Sequence, residues 1–297
     1  MASGSLGMGF KVGHWTDRDG ATGCTVVLPP QGNVASCDIR GSSPGSRELA
    51  ALHPDRRLTE IHAVLLTGGS AYGLAAADGV MAWLEKRGVG YATPVALVPI
   101  VPAAVIFDLG SGRAGARPGP PEGRAACEAA TEGPVATGRV GAGTGATVGK
   151  YGGFEHAAPG GLGMATARSG GLEVAALAVV NAVGDVVAPD GTVLAGASAP
   201  GDLRMRPEPP EKPSFNTVLV VVALRGNLDK RDVRWVAARG TDGITTAIRP
   251  AHTRYDGDVV IAIAAPSDRA QEPGDIDTLG ELATEAVAGA VRAGVTP

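Results

Sequence analysis

Residues 217–224 read TVLVVVAL, an unbroken run of β-branched and aliphatic residues. A run of that length and composition is a buried strand. Immediately upstream, residues 199–215 read APGDLRMRPEPPEKPSF, which is proline-rich, charged and without period, and therefore a linker. Outward from this junction, further strand-like runs fall at residues 25–28, 62–67, 175–180 and 259–264. Helical patterns cover 70–86, 121–131, 227–238 and 275–293, the last with acids at its start and Arg292 near its end, in keeping with the helix dipole. The helices cluster outside the middle strands instead of alternating with them. That order predicts an α+β layered sandwich over a doubly wound parallel sheet. There is no repeat of fixed period, and the linker is the single candidate boundary in what reads as one domain.

The 297 residues suffice for one large core or two modest ones. Gly (45) and Pro (22) exceed average usage, yet 44% of residues are hydrophobic and 19% charged, which is a globular chain with many tight turns. Aromatics are only 4%, so Ala, Val, Leu and Ile must build the core. A net charge of −4 gives no reason to expect nucleic acid or an anionic membrane as partner. The opening MASGSLGMGFKVGHW lacks a basic and an apolar region, no apolar stretch reaches spanning length, and the three cysteines show no CxxC. The expectation is a cytoplasmic protein with core cysteines.

Several motifs fail on inspection. Residues 141–150 (GAGTGATVGK) resemble a phosphate loop, but Thr144 stands where the first Gly is needed and Tyr151 where Ser or Thr must follow Lys150. Residues 66–73 (LTGGSAYG) resemble a nucleophile elbow, but Tyr72 replaces the closing Gly, so Ser70 reads as a helix N-cap. GSSPG at 41–45 contains Pro44 and reads as a turn. His14, His53, His62, His156 and His252 show no metal-ligand spacing, so no metal or other cofactor is expected.

Thr217 carries the chemical interest. A threonine where an exposed linker meets a core strand is ordinarily just a strand-initiating residue. If the chain were cut before it, however, the new terminus would hold a hydroxyl and an amine on one residue. That amine, with an ordinary pKa of about 8, can act as base for its own side chain. Asp256-Gly257-Asp258 stands before the strand VVIAIA, Lys150 follows a Gly-rich run, and Asn181 ends the run LAVV. Two carboxylates flanking a Gly are usually turn residues, and a strand-end Asn is as often a turn former as an oxyanion donor.

Together these residues resemble the L-aminopeptidase/D-esterase family of self-processing hydrolases, which includes β-peptidyl aminopeptidases and the endo-type nylon-oligomer hydrolase. The resemblance spans nearly the whole chain. It is carried by Gly13-His14, Thr22-Gly23-Cys24-Thr25-Val26, Arg40-Gly41, Pro44-Gly45-Ser46-Arg47-Glu48, Leu66-Thr67-Gly68-Gly69-Ser70-Ala71-Tyr72-Gly73-Leu74 and Ala104-Val105-Ile106-Phe107-Asp108. It continues through Gly141-Ala142-Gly143, Gly149-Lys150, Val179-Val180-Asn181, Asn216-Thr217 and Asp256-Gly257-Asp258.

The resemblance implies a four-layer α-β-β-α sandwich, cut between Asn216 and Thr217 into a large subunit (1–216) and a small one (217–297) that form one domain. It implies Thr217 as nucleophile, Asn181 as oxyanion donor, and Lys150, Asp256 and Asp258 around them. The Asn-Thr junction, the lysine and the Asp-Gly-Asp pair look like the nylon-oligomer branch. The implied reaction is hydrolysis of a short peptide or ω-amino-acid amide by a homo-oligomer of cleaved pairs. Alternatives are an acyltransferase of the ornithine acetyltransferase kind, and an uncleaved, inactive binding protein. One departure stands out: Phe107 occupies the place of a family tyrosine, removing a hydroxyl from a pocket to which Tyr72 is also assigned.

Overall fold

The computed structural model describes residues 4–198, 216–270, 272 and 274–296, so the linker read at 199–215 lies outside the described residues. Among the described residues, ten strands build two five-stranded sheets. In chain order they are β1 (Lys11–Asp17), β2 (Thr22–Leu28), β3 (Val34–Ile39), β4 (Ser46–Arg47), β5 (Val64–Thr67), β6 (Ala103–Val105), β7 (Gly161–Ser169), β8 (Leu172–Asn181), β9 (Thr217–Arg225) and β10 (Val259–Ala265). The first sheet runs β1-β2-β5-β6-β4 and the second β7-β8-β9-β10-β3. Pairing is antiparallel except for β5 with β6 and β9 with β10.

Four helices cover the outer faces: α1 (Ala76–Glu85) and α2 (Pro120–Glu128) on the first sheet, α3 (Lys230–Ala247) and α4 (Asp275–Ala293) on the second. The start of α3 is set by Asp229, whose carboxylate accepts the N–H groups of Arg231 at 2.7 Å and Asp232 at 2.9 Å. Pro120 opens α2, where Glu122 reaches back to the Gly119 N–H at 2.8 Å. Residues 70–86 are helical but open as a tight turn, Ser70–Ala75, ahead of α1. Ser70 is not the N-cap: Gly69 holds that place with φ 79°, a left-handed backbone that glycine adopts without a Cβ penalty.

The side-chain alternation of β9 explains its uniform apolarity. Leu219, Val221 and Ala223 pack between the sheets with Leu177, Val179, Ile261 and Leu66. Val218, Val220 and Val222 face α3 and α4, against Val236, Ile244 and Val287. A strand buried on both faces needs no polar positions. A third layer, with Val26, Leu65, Val80 and Ala126, joins the first sheet to its helices. The architecture is thus the four-layer α-β-β-α sandwich. No helix among the described residues is long and apolar enough to cross a membrane.

The layer between the sheets bears the most on the site, because β8 and β9 both end there in polar residues. Leu177→Ala, which empties a fully buried position of that layer, is expected to lower unfolding stability by roughly 2–5 kcal/mol in urea titrations.

Candidate active site

Strand direction brings the sequence candidates together. Thr217 is the first residue of β9, and its register partner across the antiparallel pair is Asn181, the last residue of β8. β10 runs parallel to β9 with Leu219 opposite Val259, so the turn before Val259 lies beside the start of β9. An isolated bridge joins Asn216 to Asp256. Asn216, Thr217, Asn181, Lys150, Asp256 and Asp258 are each no more than 5% exposed. Their proximity to one another is therefore not a surface accident.

At the centre is the Asn216 carbonyl. Its oxygen accepts the Gly257 N–H at 2.8 Å and the Thr217 hydroxyl. Gly257 has to be glycine: a Cβ there would stand 2.6 Å from the Ser43 carbonyl oxygen and 2.8 Å from Thr217 Oγ1. The flanking carboxylates have separate duties. Asp258 Oδ1 accepts the Val218 N–H at 2.7 Å, and Oδ2 lies 2.7 Å from His252 Nδ1. Asp256 Oδ2 accepts both the N–H (2.7 Å) and the hydroxyl (2.6 Å) of Thr253, while Oδ1 lies 3.5 Å from the Val183 nitrogen.

Lys150 enters from the Gly-rich loop. Gly149 turns the chain with φ 71°, and a Cβ on it would meet the backbone at Ala197 and Gly196. Lys150 N then donates to the Val183 carbonyl at 2.8 Å, and its Nζ donates to Asn181 O at 3.1 Å and Asn181 Oδ1 at 2.9 Å. An ammonium only donates, so the atom facing it must be the amide oxygen. That oxygen also accepts the Thr147 N–H at 3.0 Å, which turns Asn181 Nδ2 towards the Phe107 carbonyl, 3.4 Å away. The Phe107 backbone therefore borders the site. Tyr72 does not join this network: it is 59% exposed and stacks beneath the Arg117 guanidinium.

Burial tunes the charges. Desolvation pulls Lys150 down to about 7, against the opposing pull of Asp256. Desolvation, with Asp258 adding to it, pushes Asp256 up to about 6. A buried lysine and a buried carboxyl titrating this close together near neutrality are suited to moving protons. Burial would depress His252, but the hydrogen bond and charge of Asp258 outweigh it and leave the ring above its ordinary value.

Sequence reasoning missed three contributors. His252 shows no metal-ligand spacing, yet it lies six residues before Asp258. Thr253 stands three residues before Asp256, a spacing typical of a hydroxyl-carboxylate turn. The GSSPG stretch is not an incidental turn, because the Arg40 and Gly41 N–H groups donate to Asp258 O at 3.1 and 3.3 Å and Ser43 N to Asp256 O at 3.1 Å.

Comparison with known proteins agrees with this architecture. Among solved structures, the chain superimposes on a Burkholderia sp. beta-aminopeptidase with a TM-score of 0.73 at 21% identity, covering 96% of this chain and 84% of that one. It superimposes on the L-aminopeptidase D-Ala-esterase/amidase of Ochrobactrum anthropi with a TM-score of 0.72 at 18% identity, covering 99% and 87%. The latter protein is described as a new variant among the Ntn-hydrolase fold. At these identities the likeness establishes the fold class.

Sequence comparison goes further, matching peptidase family S58 over residues 8–296. The chain is 40% identical to an uncharacterized aminopeptidase of Mycobacterium tuberculosis strain H37Rv, over 97% of this chain and 91% of the relative. It is 30% identical to the 6-aminohexanoate-oligomer endohydrolase of Agromyces sp. strain KY5R, over 94% and 79%. The chain belongs to peptidase family S58 and is a hydrolase.

The Lys150 shift has a thermodynamic consequence. Between about 7 and the ordinary 10.5, the unfolded chain keeps a proton that folded Lys150 has released. Stability therefore climbs with pH across that window, by up to about 1.4 kcal/mol per unit from this group. Urea unfolding at pH 7 to 9, with and without Lys150→Met, is expected to show a smaller rise for the Met variant.

Proposed function

We propose that this hydrolase cuts itself between Asn216 and Thr217 and then hydrolyses short peptide or ω-amino-acid amides through Thr217. The observation that carries the reading is the Asn216 carbonyl, held by the Gly257 N–H at 2.8 Å with the Thr217 hydroxyl against it. An amide carbonyl polarised by a fixed N–H, with a hydroxyl on the next residue, suits an intramolecular attack. Oγ1 would add to the carbonyl carbon while the Thr217 hydroxyl proton passes to a neighbouring base. The C–N bond would then break, its nitrogen taking that proton back, to leave an ester that water hydrolyses. Asn216 would end as a carboxylate and Thr217 as a free amine.

In turnover the new amine would take the hydroxyl proton, an acyl-enzyme would form on Thr217 Oγ1, and water would release the acid. Asn181 supports an oxyanion role, since Lys150 and the Thr147 N–H hold its oxygen and leave its nitrogen as the donor end. The substrate class draws on the relatives described as an aminopeptidase and a 6-aminohexanoate-oligomer endohydrolase. The large (1–216) and small (217–297) pieces would remain one domain, since β9 is central in the second sheet. A homo-oligomer of such pairs and a cytoplasmic location belong to the same proposal.

Purified protein is expected to run as fragments of roughly 21.5 and 8.1 kDa, the 29.6 kDa chain divided in proportion to its 216 and 81 residues. Amino-terminal sequencing of the smaller fragment should read TVLVVVAL. Thr217→Ala should stay intact, folded and inactive, at a stability cost of about 1 kcal/mol, and Thr217→Ser should process partially. Normal hydrolysis by the Ala variant would place the nucleophile elsewhere. Product analysis with and without an acceptor amine separates hydrolysis from acyl transfer.

Replacing Asp256 or Asp258 with Ala should slow cleavage or turnover by about 100-fold or more, the scale of a lost proton-transfer partner. Because both carboxylates are buried and accept from Thr253 and Val218, the melting temperature should fall as well, by the equivalent of about 1–3 kcal/mol. A large drop in melting temperature alongside full residual activity would make the pair a purely structural turn.

A further inference from the structure

We propose that His252 is a positioning residue for the Thr217 site, acting through the Asp258 carboxylate that it locks in place. The inference rests on the Thr217 reading but assigns a role to a side chain outside the set that the sequence resemblance implies.

The geometry separates what holds the Asp258 main chain from what holds its side chain. The Arg40 and Gly41 N–H groups both donate to the Asp258 carbonyl, at 3.1 and 3.3 Å, and this fixes the backbone of the turn whatever stands at 252. The side chain has two other anchors. Oδ1 accepts the Val218 N–H at 2.7 Å, and Oδ2 lies 2.7 Å from His252 Nδ1. A carboxylate only accepts, so the ring proton in this bond is on Nδ1.

Val218 directly follows Thr217. The Asp258 carboxylate therefore fixes the amide that sets where the Thr217 hydroxyl points. After a cut before Thr217, the same carboxylate would stand beside the new amine. With its second oxygen unbound, this buried carboxylate would be free to turn about its own side-chain bonds, and both functions would loosen together. An active group whose orientation is set by a third residue is the general logic of catalytic triads.

The backbone at His252 points the same way. Its φ is 53°, in the left-handed region where non-glycine residues are uncommon and His, Asn and Asp are enriched. With this backbone the ring nitrogen meets Asp258 Oδ2, and the next residue, Thr253, holds Asp256 through its own N–H and hydroxyl. One short segment, residues 252–253, thus orients both carboxylates of the Asp-Gly-Asp turn, one residue to each.

The test is the rate of self-cleavage, followed in pulse-labelled cell-free translation as loss of the intact band, with melting temperature measured alongside. Three variants that all accept a left-handed backbone isolate the donor: His252→Gly removes it, His252→Asn restores an N–H near the Nδ1 position, and His252→Asp, compared at alkaline pH where its carboxyl is ionised, is the shape of Asn without a donor. Cleavage in the Gly and Asp variants is expected to slow by about 10- to 100-fold, on the scale of losing the hydrogen-bond partner that orients a metal ligand. The Asn variant is expected to recover most of the rate. Full-rate cleavage in the Gly variant, or equal rates for Asn and Asp, overturns the inference. If the Gly variant does not fold, the Asn–Asp comparison decides alone. Thr217→Ala, run in parallel, keeps the two questions apart: cleavage in that variant defeats the Thr217 reading itself. An inert Thr217→Ala beside a fully active His252→Gly defeats only the role of His252.

Discussion

The parallel pairing of β9 with β10 is the constraint on which the rest of this structure depends. Parallel neighbours begin at the same edge of a sheet, so Leu219 opposite Val259 forces residues 216–217 to lie against the turn at 256–258. The antiparallel neighbour on the other side, β8, must end where β9 begins, which delivers Asn181 to Thr217. Three strand termini therefore converge at one end of one sheet, and each contributes polar groups as its apolar run stops. The sandwich holds this end still, because β8 and β9 are buried on both faces and cannot slip register without moving their whole apolar set. A site built on strand ends in a closed core has little freedom to relax.

That stillness has an electrostatic consequence. Lys150 and Asp256 are taken out of water almost completely, and each is driven towards its neutral form by the same desolvation. Lys150 is brought down to about 7 and Asp256 up to about 6, so both groups titrate near neutrality. In the uncut chain the nitrogen of Thr217 is an amide and cannot act as a base. Within the proposed reading, self-cleavage therefore needs a base other than the one used in turnover, and the proposal assigns that role to one of this pair. Asp258, tied to Val218 and His252, would serve orientation at that stage.

The legibility of the fold followed burial. β2, β5, β8, β9 and β10, which all lie inside their sheets, read directly as apolar runs. Of the five strands that did not, β1, β3, β4 and β7 are the outer strands of the two sheets. KVGHWTD and GLGMATARS mix apolar, small and polar residues because an outer strand pairs on one side only and meets solvent along part of its length. The remaining strand, β6, is three residues long. Site residues that act through side chains at strand ends were legible by type and place. Gly257, which offers only a backbone N–H, was legible only through the aspartates that flank it, and His252 and Thr253, which bond those carboxylates, show in the sequence at most a local turn spacing.

The Gly257 N–H also links the uncut and cut forms. In the uncut chain it is satisfied by the Asn216 carbonyl at 2.8 Å. Cutting after Asn216 would turn that carbonyl into a carboxylate end no longer bonded to β9. Were that end to leave, a buried donor would remain without an acceptor, at a cost of about 1–3 kcal/mol. A substrate carbonyl arriving at Thr217 Oγ1 could recover that cost as its oxygen takes on charge, and only interactions that strengthen in this way accelerate the reaction. Phe107, whose ring carries no hydroxyl, meets the same site through its backbone carbonyl, 3.4 Å from Asn181 Nδ2. Within the proposed reading, the donor available to a substrate oxygen there comes from the turn before β10, and self-cleavage is the step that would vacate it.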